Sequence, residues 1–570
     1  MGQKRVLPPM RTFRDTICCF FLLAISAAAA TTGTNYTVKA GGGGNYTTIQ
    51  ACATAMAAGD TCTVYAGTYN ENVTVSSGSA GSYKTLTVNG SDVVTVQSFT
   101  LGSHVKLIGN CTAPAPINTC GFNIQNPSSP GAASCVSTPQ NTTDVYITNN
   151  VMYACANGIG GSGSTSGAAI YIPQGSSYIY VQGNTVSYPA ATSSNPVYTG
   201  KGIDFGEPTG GVDHVLAEKN DFSHYTLGIK FTSRHSIFRN NTFHDQIESE
   251  GSSNKHTDIF FSEQPSNVQY NLIEGNYERN AVGPNAKGVL AQGNYPCSSC
   301  SNLIVRYDVT SRIGSGVSSN YATWPHIVNY NNTHVDLNME GSTSGQDTDY
   351  QDAGLTNVAL LNSVYFYNTP SAWSNWNSGS CGSSCNAGHN LYWCTGAGCT
   401  APYNHIYSGP NTWTADPGNL HANPMFANYV SPGSTSNDFH LQAGSPAIGA
   451  GTYLTTVGSG DSGSGTSLVV TDAAYFQDGY GVALGDCIAV GTASNHVCVT
   501  TVNYSSNSLT LASGISRSAG DPVYLYSKSD GVQVLTGSTP DMGAFPYGSG
   551  GGGGSGSAPL PPTSLSAVVN

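Results

Sequence analysis

One short phrase recurs through the middle of the chain and limits its possible folds more than any other feature. The phrase is two or three alternating apolar residues, an Asn or Asp, and then another apolar strand. Copies that recur every 21 to 40 residues, with no helical pattern between them, predict a β-solenoid in which each coil pairs with its neighbours. Asn tolerates left-handed backbone, so we expect it at a turn and stacked on its counterparts in adjacent coils. The copies end at Asn110, Asn150, Asn184, Asn220, Asn241, Asn276, Asp308, Asn332 and Asn362.

The composition also favours an all-β chain. Of the 570 residues, 69 are Gly, 33 are Tyr and 9% are charged, whereas a helical protein would carry more Glu, Lys and Leu. Hydrophobic residues make up 39% of the chain, which argues against disorder over most of its length. The net charge is −13 and the sequence has no basic stripe, so nucleic acid is not an expected partner.

Both ends of the repeat region resemble those of a known superfamily. Residues 46–59 show helical spacing and end in Gly, and residues 59–71 read GDTCTVYAGTYNE, a strand with a Gly turn. Residues 439–451 read FHLQAGSPAIGAG and residues 540–547 read PDMGAFPY. The first two stretches resemble the opening, and the last two the closing coil, of right-handed parallel β-helix proteins of the pectate-lyase-like superfamily. The resemblance implies a single-stranded parallel β-helix whose first coil is capped by the helix.

The chain divides where its composition changes. Basic residues ahead of a short apolar run predict a cleaved export signal and a secreted or cell-surface protein, with no membrane span once the signal is removed. A strictly alternating stretch before the closing coil predicts a small β-barrel or sandwich insert. The expected divisions are a signal peptide (1–30), the β-helix (31–454), the β insert (455–537), the closing segment (538–547), a Gly/Ser linker (548–558) and the start of a fibronectin-III-like module (559–570).

The cysteines predict local disulfides. Two of the 16 Cys fall in the signal peptide, and the other 14 lie close together in sequence, as in many exported proteins. One quartet has a spacing that also suits zinc, although an oxidising compartment favours disulfides. The groups are Cys52/Cys62, Cys111/Cys120, Cys135/Cys155, Cys297/Cys300, Cys487/Cys498 and the quartet Cys381, Cys385, Cys394 and Cys399.

Ionisable residues concentrate in one part of the sequence. Residues 201–312, about a fifth of the chain, hold 13 of the 32 acidic residues and 10 of the 19 Lys and Arg. The densest stretch is residues 240–263, where we expect the chemistry of the protein to lie. Its charged members are Asp245, Glu248, Glu250, Lys255, His256, Asp258 and Glu263.

Part of this stretch, ESEGSSNK, is similar to the ExExxSNK motif of the alginate lyase and chondroitinase B family of β-helix lyases. The resemblance implies that Glu248 and Glu250 bind Ca²⁺, which holds the substrate carboxylate, and that Lys255 is the catalytic base. Alternate residues of a strand share a face, so the two carboxylates can share one cation. Where the family has a catalytic Arg on the next coil, this chain has Gln292, which we assign to substrate binding. Arg279, nearby in sequence, is a further catalytic candidate.

Two other arrangements of the same residues stay open. Asp258 could orient His256, which would then act as a base or a metal ligand. Alternatively, Asp258 could pair with Asp245 or with Glu248 as the two carboxyl groups of a glycoside hydrolase.

The sequence therefore predicts a secreted, monomeric, carbohydrate-active β-helix protein, most simply a polysaccharide lyase acting on an extracellular uronic-acid-containing polysaccharide with Ca²⁺. A glycoside hydrolase and a non-catalytic surface or matrix-binding adhesin are the alternatives, because the fold hosts all of these functions. We assign substrate binding to Asp245, Arg234, Arg239 and Glu263 in addition to Gln292.

Overall fold

The computed structural model describes most of the chain between Gly33 and Gly548. The described ranges are 33–125, 134–155, 167–189, 200–206, 211–246, 257–263, 268–281, 286–292, 300–320, 326–337, 339, 348–350, 358–367, 386–395 and 418–548. Within these ranges the regular secondary structure is β-strand apart from a single α-helix near the N-terminus. None of the helical structure described here is long and apolar enough to span a bilayer.

The first coils contain the helix and short strands of two to nine residues. In order they are β1 Asn35–Val38, α1 Ile49–Ala55, β2 Thr61–Val64, β3 Gly67–Val75, β4 Lys84–Val88, β5 Val93–Leu101, β6 Val105–Ile108, β7 Gly121–Gln125, β8 Val136–Ser137, β9 Thr143–Thr148, β10 Val151–Tyr153, β11 Ala168–Ile172, β12 Ser177–Gln182 and β13 Thr185–Ser187.

The central coils repeat a regular set of three strands. They are β14 Lys201–Phe205, β15 Val212–Glu218, β16 Asp221–Ser223, β17 Leu227–Phe231, β18 Ser233–Arg239, β19 Thr242–His244, β20 Asp258–Glu263, β21 Gln269–Glu274, β22 Tyr277–Ala281, β23 Lys287–Gln292, β24 Ser301–Arg306, β25 Val309–Ile313, β26 Ser315–Asn320, β27 Ile327–Tyr330, β28 Thr333–Val335 and β29 Thr348–Tyr350.

The last coils lead into a separate antiparallel sheet. They are β30 Val358–Leu361, β31 Val364–Tyr367, β32 Asn386–Gly388, β33 Leu391–Cys394, β34 Leu420–His421, β35 Phe426–Asn428 and β36 Asp438–Leu441. The antiparallel strands, which we call the C-terminal module, are β37 Thr455–Thr456, β38 Gly463–Val469, β39 Cys487–Val490, β40 His496–Asn503, β41 Ser508–Arg517 and β42 Pro522–Ser527.

Strands β1 to β34 stack in three parallel columns, whereas β35 and β36 form a separate antiparallel pair. The first column is a 13-stranded sheet that runs from β1 to β32. The second column runs from β7 through β16, β19 and β22 to β34, and the third from β8 through β17, β20 and β23 to β29. Each coil takes one strand from each column, as β15, β16 and β17 do. The parallel β-helix predicted from the sequence is therefore confirmed.

The helix closes the N-terminal end of the solenoid as expected. Its apolar face is buried on the first coil, and Cys52 of that face is disulfide-bonded to Cys62 of β2. The Thr48 hydroxyl accepts a hydrogen bond from the Ala51 amide, and the Glu71 carboxylate accepts the next unpaired amides at the helix start. The cap thus covers strand edges and core that would otherwise face water.

A continuous ladder of buried polar side chains links the coils at the turn between the first and second columns. In each rung a side-chain oxygen accepts the backbone N–H of the equivalent residue one coil earlier, at 2.6–3.1 Å. The residue before each rung has a left-handed backbone, which makes the turn tight. The rungs are Asn150, Asn184, Asn220, Asn241, Asn276, Asp308, Asn332, Ser363, Asn390 and Asn419.

Seven of the nine repeated positions identified in the sequence are rungs. Asn110 lies outside this ladder and its amide binds the Gly90 carbonyl oxygen instead. The expected position of Asn362 is wrong by one residue, because the hydroxyl of Ser363 supplies the rung. Asn362 occupies the left-handed position before it and binds the backbone of Thr452.

The first column is apolar on both of its faces in the central coils. Its inward residues, such as Ala217 and Phe238, belong to the solenoid core. Its outward residues pack against the C-terminal module in a second core. Burying each such side chain contributes roughly 1.5–3 kcal/mol relative to exposure. The module therefore docks along the length of the solenoid; the outward residues are Leu216, Ile237, Leu272, Ile304, Val328, Ala359 and Leu361.

A buried ionic network crosses the same interface. The guanidinium of Arg306 is wholly buried and lies 2.8 Å from Glu274 and 2.6 Å from Asp486 of the module. Ser529 donates a hydrogen bond to Glu274 at 2.6 Å and accepts one from Arg239 at 2.9 Å. The network helps to fix the position of the module, because the buried carboxylate of Asp486 is compensated by Arg306 only when the module is docked.

The sequence stretch 439–451 and the later stretch 540–547 come together although the module separates them. Gly451 donates its backbone N–H to the carbonyl of Pro540, and Met542 donates to Ala447, both at 2.9 Å. The Asp541 carboxylate accepts the Gly449 amide at 2.6 Å. The closing coil suggested by the resemblance is thus formed by both stretches, with the module as an excursion between them.

Four of the expected disulfides are present in the described ranges. They join Cys52 to Cys62, Cys111 to Cys120, Cys135 to Cys155 and Cys487 to Cys498. Cys300 and Cys394 are also disulfide-bonded. The last of these belongs to the quartet, so the zinc alternative for the four cysteines is not supported.

We expect Asn220→Ala to lower the free energy of unfolding by about 2 kcal/mol or more, because it leaves the buried amide of Asn184 without an acceptor. Urea denaturation followed by circular dichroism measures the effect. Asn110→Ala, which removes an Asn outside the ladder, is the matched control and should shift the midpoint far less. Equal shifts for the two variants would contradict a stabilising role for the ladder.

We expect Arg306→Met to cost about 3–5 kcal/mol, because Glu274 and Asp486 are then buried without a counter-charge. Limited proteolysis should cut the C-terminal module first in this variant. The triple variant Arg306→Met, Glu274→Gln, Asp486→Asn removes the charges together and should recover much of the lost stability. A triple variant no more stable than the single one would show that packing, rather than charge, governs the docking.

Candidate active site

The candidate site lies on three neighbouring strands of the second column, β16, β19 and β22. Ser223, His244 and Arg279 are in register on these strands, so their side chains are about 4.8 Å apart per step along the solenoid. A left-handed residue stands beside each of them, namely His224, Asp245 and Asn280. The ladder of the same coils fixes this register, and the site is thereby assembled from residues up to 60 positions apart.

His244 has a carboxylate at each ring nitrogen. Its Nδ1 lies 2.7 Å from Asp245 Oδ2 and its Nε2 lies 3.2 Å from Asp221 Oδ1. Burial alone would lower the pKa of His244, but the two carboxylates outweigh burial and raise the pKa to about 9. Both ring nitrogens therefore donate, and the imidazole is a cation at neutral pH.

Asp245 is held as an anion by three donors. Besides His244, it accepts a hydrogen bond from Asn280 at 3.0 Å and lies 3.6 Å from the guanidinium of Arg279. The hydrogen bond from His244 is the largest effect and, against partial burial, it keeps the pKa of Asp245 well below its usual range. Asp245 thus contacts both cations, His244 and Arg279, and holds them next to each other.

His224 has the opposite protonation state. Burial lowers the pKa of His224, and the nearby charge of His244 lowers it further, while Asp245 acts in the other direction. A neutral imidazole and a charged one therefore lie on adjacent coils. Neighbouring titratable groups whose pKa values are driven apart are a common feature of acid–base sites.

The structure brings together two residues that the sequence had assigned to separate roles. Asp245, expected to bind substrate, and Arg279, expected to be catalytic, are in direct contact. His244, Asp221, His224 and Asn280 were not identified from the sequence. The signal for His244 was its place beside Asp245, but Asp221 and Asn280 could be found only from the register of the coils.

Other expected site residues lie elsewhere. Arg234 and Arg239 are on β18 of the first column, where Arg234 binds Asp213 at 2.9 Å and Arg239 binds Glu218 at 2.7 Å. Arg239 is nine-tenths buried beneath the C-terminal module, which argues against the substrate-binding role predicted for it. Asp258, expected to assist catalysis, is wholly buried in β20, in register with Lys287.

The remaining predicted site residues lie partly or wholly outside the part of the chain that the structure describes. Glu263 and Gln292 are backbone neighbours in register on β20 and β23, which places both in the third column. Glu248, Glu250, Lys255 and His256, with the expected Ca²⁺ site and base, lie outside the described residues. Their segment, 247–256, joins β19 to β20 and so begins two residues after Asp245.

Comparisons with known proteins give only distant likenesses. No family model matches the sequence, and no curated protein matches it. Among solved structures, pectate lyase Pel9A is 14% identical with a TM-score of 0.39, covering 74% of this chain and 92% of its own. The XylC protein in complex with xylose is 10% identical with a TM-score of 0.45, covering 90% and 98%. The alginate lyase AlyGC is 13% identical with a TM-score of 0.36, covering 67% and 54%.

Likenesses this distant say nothing about activity. The assignment of the chain to the parallel β-helix class rests on its own strand pairing. The solved structures with such a distant likeness include pectate, alginate and rhamnogalacturonan lyases. They also include a surface adhesin of Streptococcus pneumoniae, so they span enzymes and a binding protein alike.

We expect the His244 imidazole to titrate near pH 9 in NMR spectra. The stabilisation from its charge is complete below the unfolded pKa of about 6.5 and is lost as the pH rises through 9. Asp221→Asn removes one of the two carboxylates and should lower the midpoint, whereas Asp478→Asn in the C-terminal module should leave it unchanged. A wild-type midpoint near 6.5 would refute the assignment of a charged imidazole.

Proposed function

We propose that this protein is a secreted polysaccharide lyase that acts on a uronic-acid-containing polysaccharide. The observation that carries the proposal is Arg279, which is in register on the adjacent coil with His244, whose two ring nitrogens already donate to Asp245 and Asp221. A guanidinium has five N–H donors, so Arg279 can bind a further carboxylate besides Asp245 through charge-assisted hydrogen bonds. A polymer that lies along the solenoid would meet Arg279 with the carboxylate of a uronate unit.

A lyase needs this neutralisation because it removes a proton from the carbon next to the carboxylate. The base takes the C5 proton, the C5–H electrons form a C4=C5 double bond, and the C4–O bond breaks. Negative charge builds on the carboxylate during proton removal, so cations placed there stabilise the transition state more than the ground state. In this proposal Arg279 has that role, with Ca²⁺ on Glu248 and Glu250 as a further cation.

Two residues are candidates for the base. Lys255 is the base that the resemblance to the alginate lyase family implies. His224 is a candidate from the structure, since its lowered pKa keeps the imidazole neutral and able to accept a proton. In either case the leaving oxygen takes a proton from water, because both N–H groups of His244 are engaged by Asp245 and Asp221.

The glycoside hydrolase alternative is less well supported by the described residues. It requires one carboxylic acid that stays protonated at the reaction pH. The pKa of Asp245 is lowered, which makes it a poor acid. Glu278 has a raised pKa, but it is wholly buried inside the solenoid, in register with Phe243 and Thr310, where no polysaccharide reaches it.

The oxidising environment implied by the disulfides supports export of the protein. Export agrees with an extracellular polymer as the substrate. An adhesin that uses the same cations only to bind an acidic glycan would share these features, so turnover has to be measured.

The test uses alginate, polygalacturonate, chondroitin and a neutral xylan, with and without Ca²⁺. Ultraviolet absorbance of the unsaturated product and reducing ends are followed together. We expect unsaturated products from an acidic polymer only, and a loss of about 10²-fold or more in kcat/KM for Arg279→Gln. Arg517→Gln, which changes an Arg of the C-terminal module, is the matched control and should keep wild-type activity.

Lys255→Ala and His224→Gln separate the two candidate bases, because only the true base should abolish product formation. Reducing ends without unsaturated product would identify a hydrolase and overturn the proposal. Saturable binding of an acidic polymer with no product, under all these conditions, would identify a binding protein instead.

A further inference from the structure

A second group of ionisable side chains lies where strands β15 and β18 of the first column begin. Asp213 and Arg234 are in register on the two strands, and each is followed by a histidine. His214 and His235 both have a left-handed backbone, with φ of 58° and 49°. The repeat of the solenoid thus brings two imidazoles and a carboxylate together at the edge of one sheet.

Both imidazoles point the same nitrogen at the same oxygen. Asp213 Oδ1 lies 3.0 Å from His214 Nδ1 and 2.9 Å from His235 Nδ1. These three atoms all lie within 4.8 Å of one another. A metal ion bound at about 2.0–2.1 Å to each of two adjacent ligands holds them about 3 Å apart, which is the separation observed here.

The surroundings hold the group in place. The ring of Tyr178 stacks on His214 with centroids 4.5 Å apart, and that of Tyr270 stacks on His235 at 5.2 Å. Arg234 binds the other oxygen of Asp213 at 2.9 Å, which leaves Oδ1 to face the imidazoles. Ligands whose orientation is fixed by neighbours bind a metal more tightly, because little freedom is lost on binding.

The group is also accessible. The side chains of Asp213, His214 and His235 are between a quarter and a third exposed. The two histidines line a cavity of about 680 Å³ between the solenoid and the C-terminal module, and Tyr480 and Tyr504 of the module line it as well. An ion and a water molecule or small oxygen ligand would both fit there.

We propose that Asp213, His214 and His235 bind a divalent transition-metal ion such as Zn²⁺. Imidazole nitrogen favours Zn²⁺, Cu²⁺, Fe²⁺ and Ni²⁺ over Ca²⁺ and Mg²⁺, which prefer oxygen ligands. Two imidazoles and one carboxylate leave coordination positions open toward the cavity, as at catalytic rather than structural zinc sites. Arg234 is a positioning residue for the Asp213 carboxylate.

Within the described parts of the chain, Asp213, His214 and His235 form a group that meets these distance limits. The site is on a different column from His244 and Arg279 and shares no residue with them. Its test is therefore independent of the proposed lyase activity.

The test uses the full chain, prepared without an affinity tag and treated with a chelator. Isothermal titration with Zn²⁺ should show one tight site per chain, and Co²⁺ should give the visible absorption of a nitrogen-ligated ion. His214→Asn and His235→Asn should each weaken Zn²⁺ binding by more than about 100-fold, since loss of an outer support alone costs 10–100-fold. Asn suits the left-handed backbone at both positions.

The matched control is His104→Asn. His104 occupies the equivalent left-handed position three coils earlier and lies 3.2 Å from Asp144, but the neighbouring ring there is that of Tyr83, which meets it edge to face, rather than a second imidazole. The His104→Asn variant should bind Zn²⁺ with the same affinity as the wild type. Circular dichroism in the presence of chelator verifies that each variant is folded.

Three outcomes would overturn the proposal. They are no Zn²⁺ binding by the wild type, wild-type affinity for Zn²⁺ in both histidine variants, and displacement of the bound ion by excess Ca²⁺, which would indicate an oxygen site elsewhere. If one histidine variant does not fold, the other decides, together with the Co²⁺ spectrum of the wild type.

Discussion

The hydrogen-bonded ladder between the first and second columns is the interaction on which the rest of the structure depends. A parallel solenoid has no turn that fixes the pairing of one coil with the next, so its register must be set by side chains. Asn220, for example, accepts the backbone N–H of Asn184 with its carbonyl oxygen and donates its amide both to Val181 of that preceding coil and to Asn241 of the next. A slip of one residue would bury these groups without partners, at about 1–3 kcal/mol for each. The ladder therefore enforces the same register over ten coils.

Because the register is fixed, the number of residues between a side chain and the rung of its coil determines where that side chain lies in the solenoid. Loops between coils vary in length, which is why the copies of the phrase are spaced irregularly, yet the strands on either side of a rung stay aligned. His244 lies next to Arg279 and Asp221 because each of the three lies within a few residues of the rung of its own coil. Their separation from one another in sequence does not matter. The same rule brings His214 to His235. Both groups are thus consequences of the ladder and of the residues that follow or precede it.

Much of the fold could be predicted from the sequence, because a solenoid repeats its local pattern. The Asn positions, the capping helix and the two halves of the closing coil all carry their own signals. The docking of the C-terminal module had a signal that was missed, in that Leu216, Ile237 and Leu272 are apolar at outward positions next to inward apolar residues. Strands covered on both faces lose the usual alternation. The buried Arg239 follows from the same docking, since a basic residue at the end of such a strand lies under the module.

The site was harder to predict than the fold. The sequence identified the right stretch and two of the right residues, Asp245 and Arg279, but it could not pair them. To pair two such residues from the sequence, one must know how many residues separate each of them from the ladder rung of its own coil. An insertion in either coil, such as segment 247–256, hides that number from any reading of spacing alone.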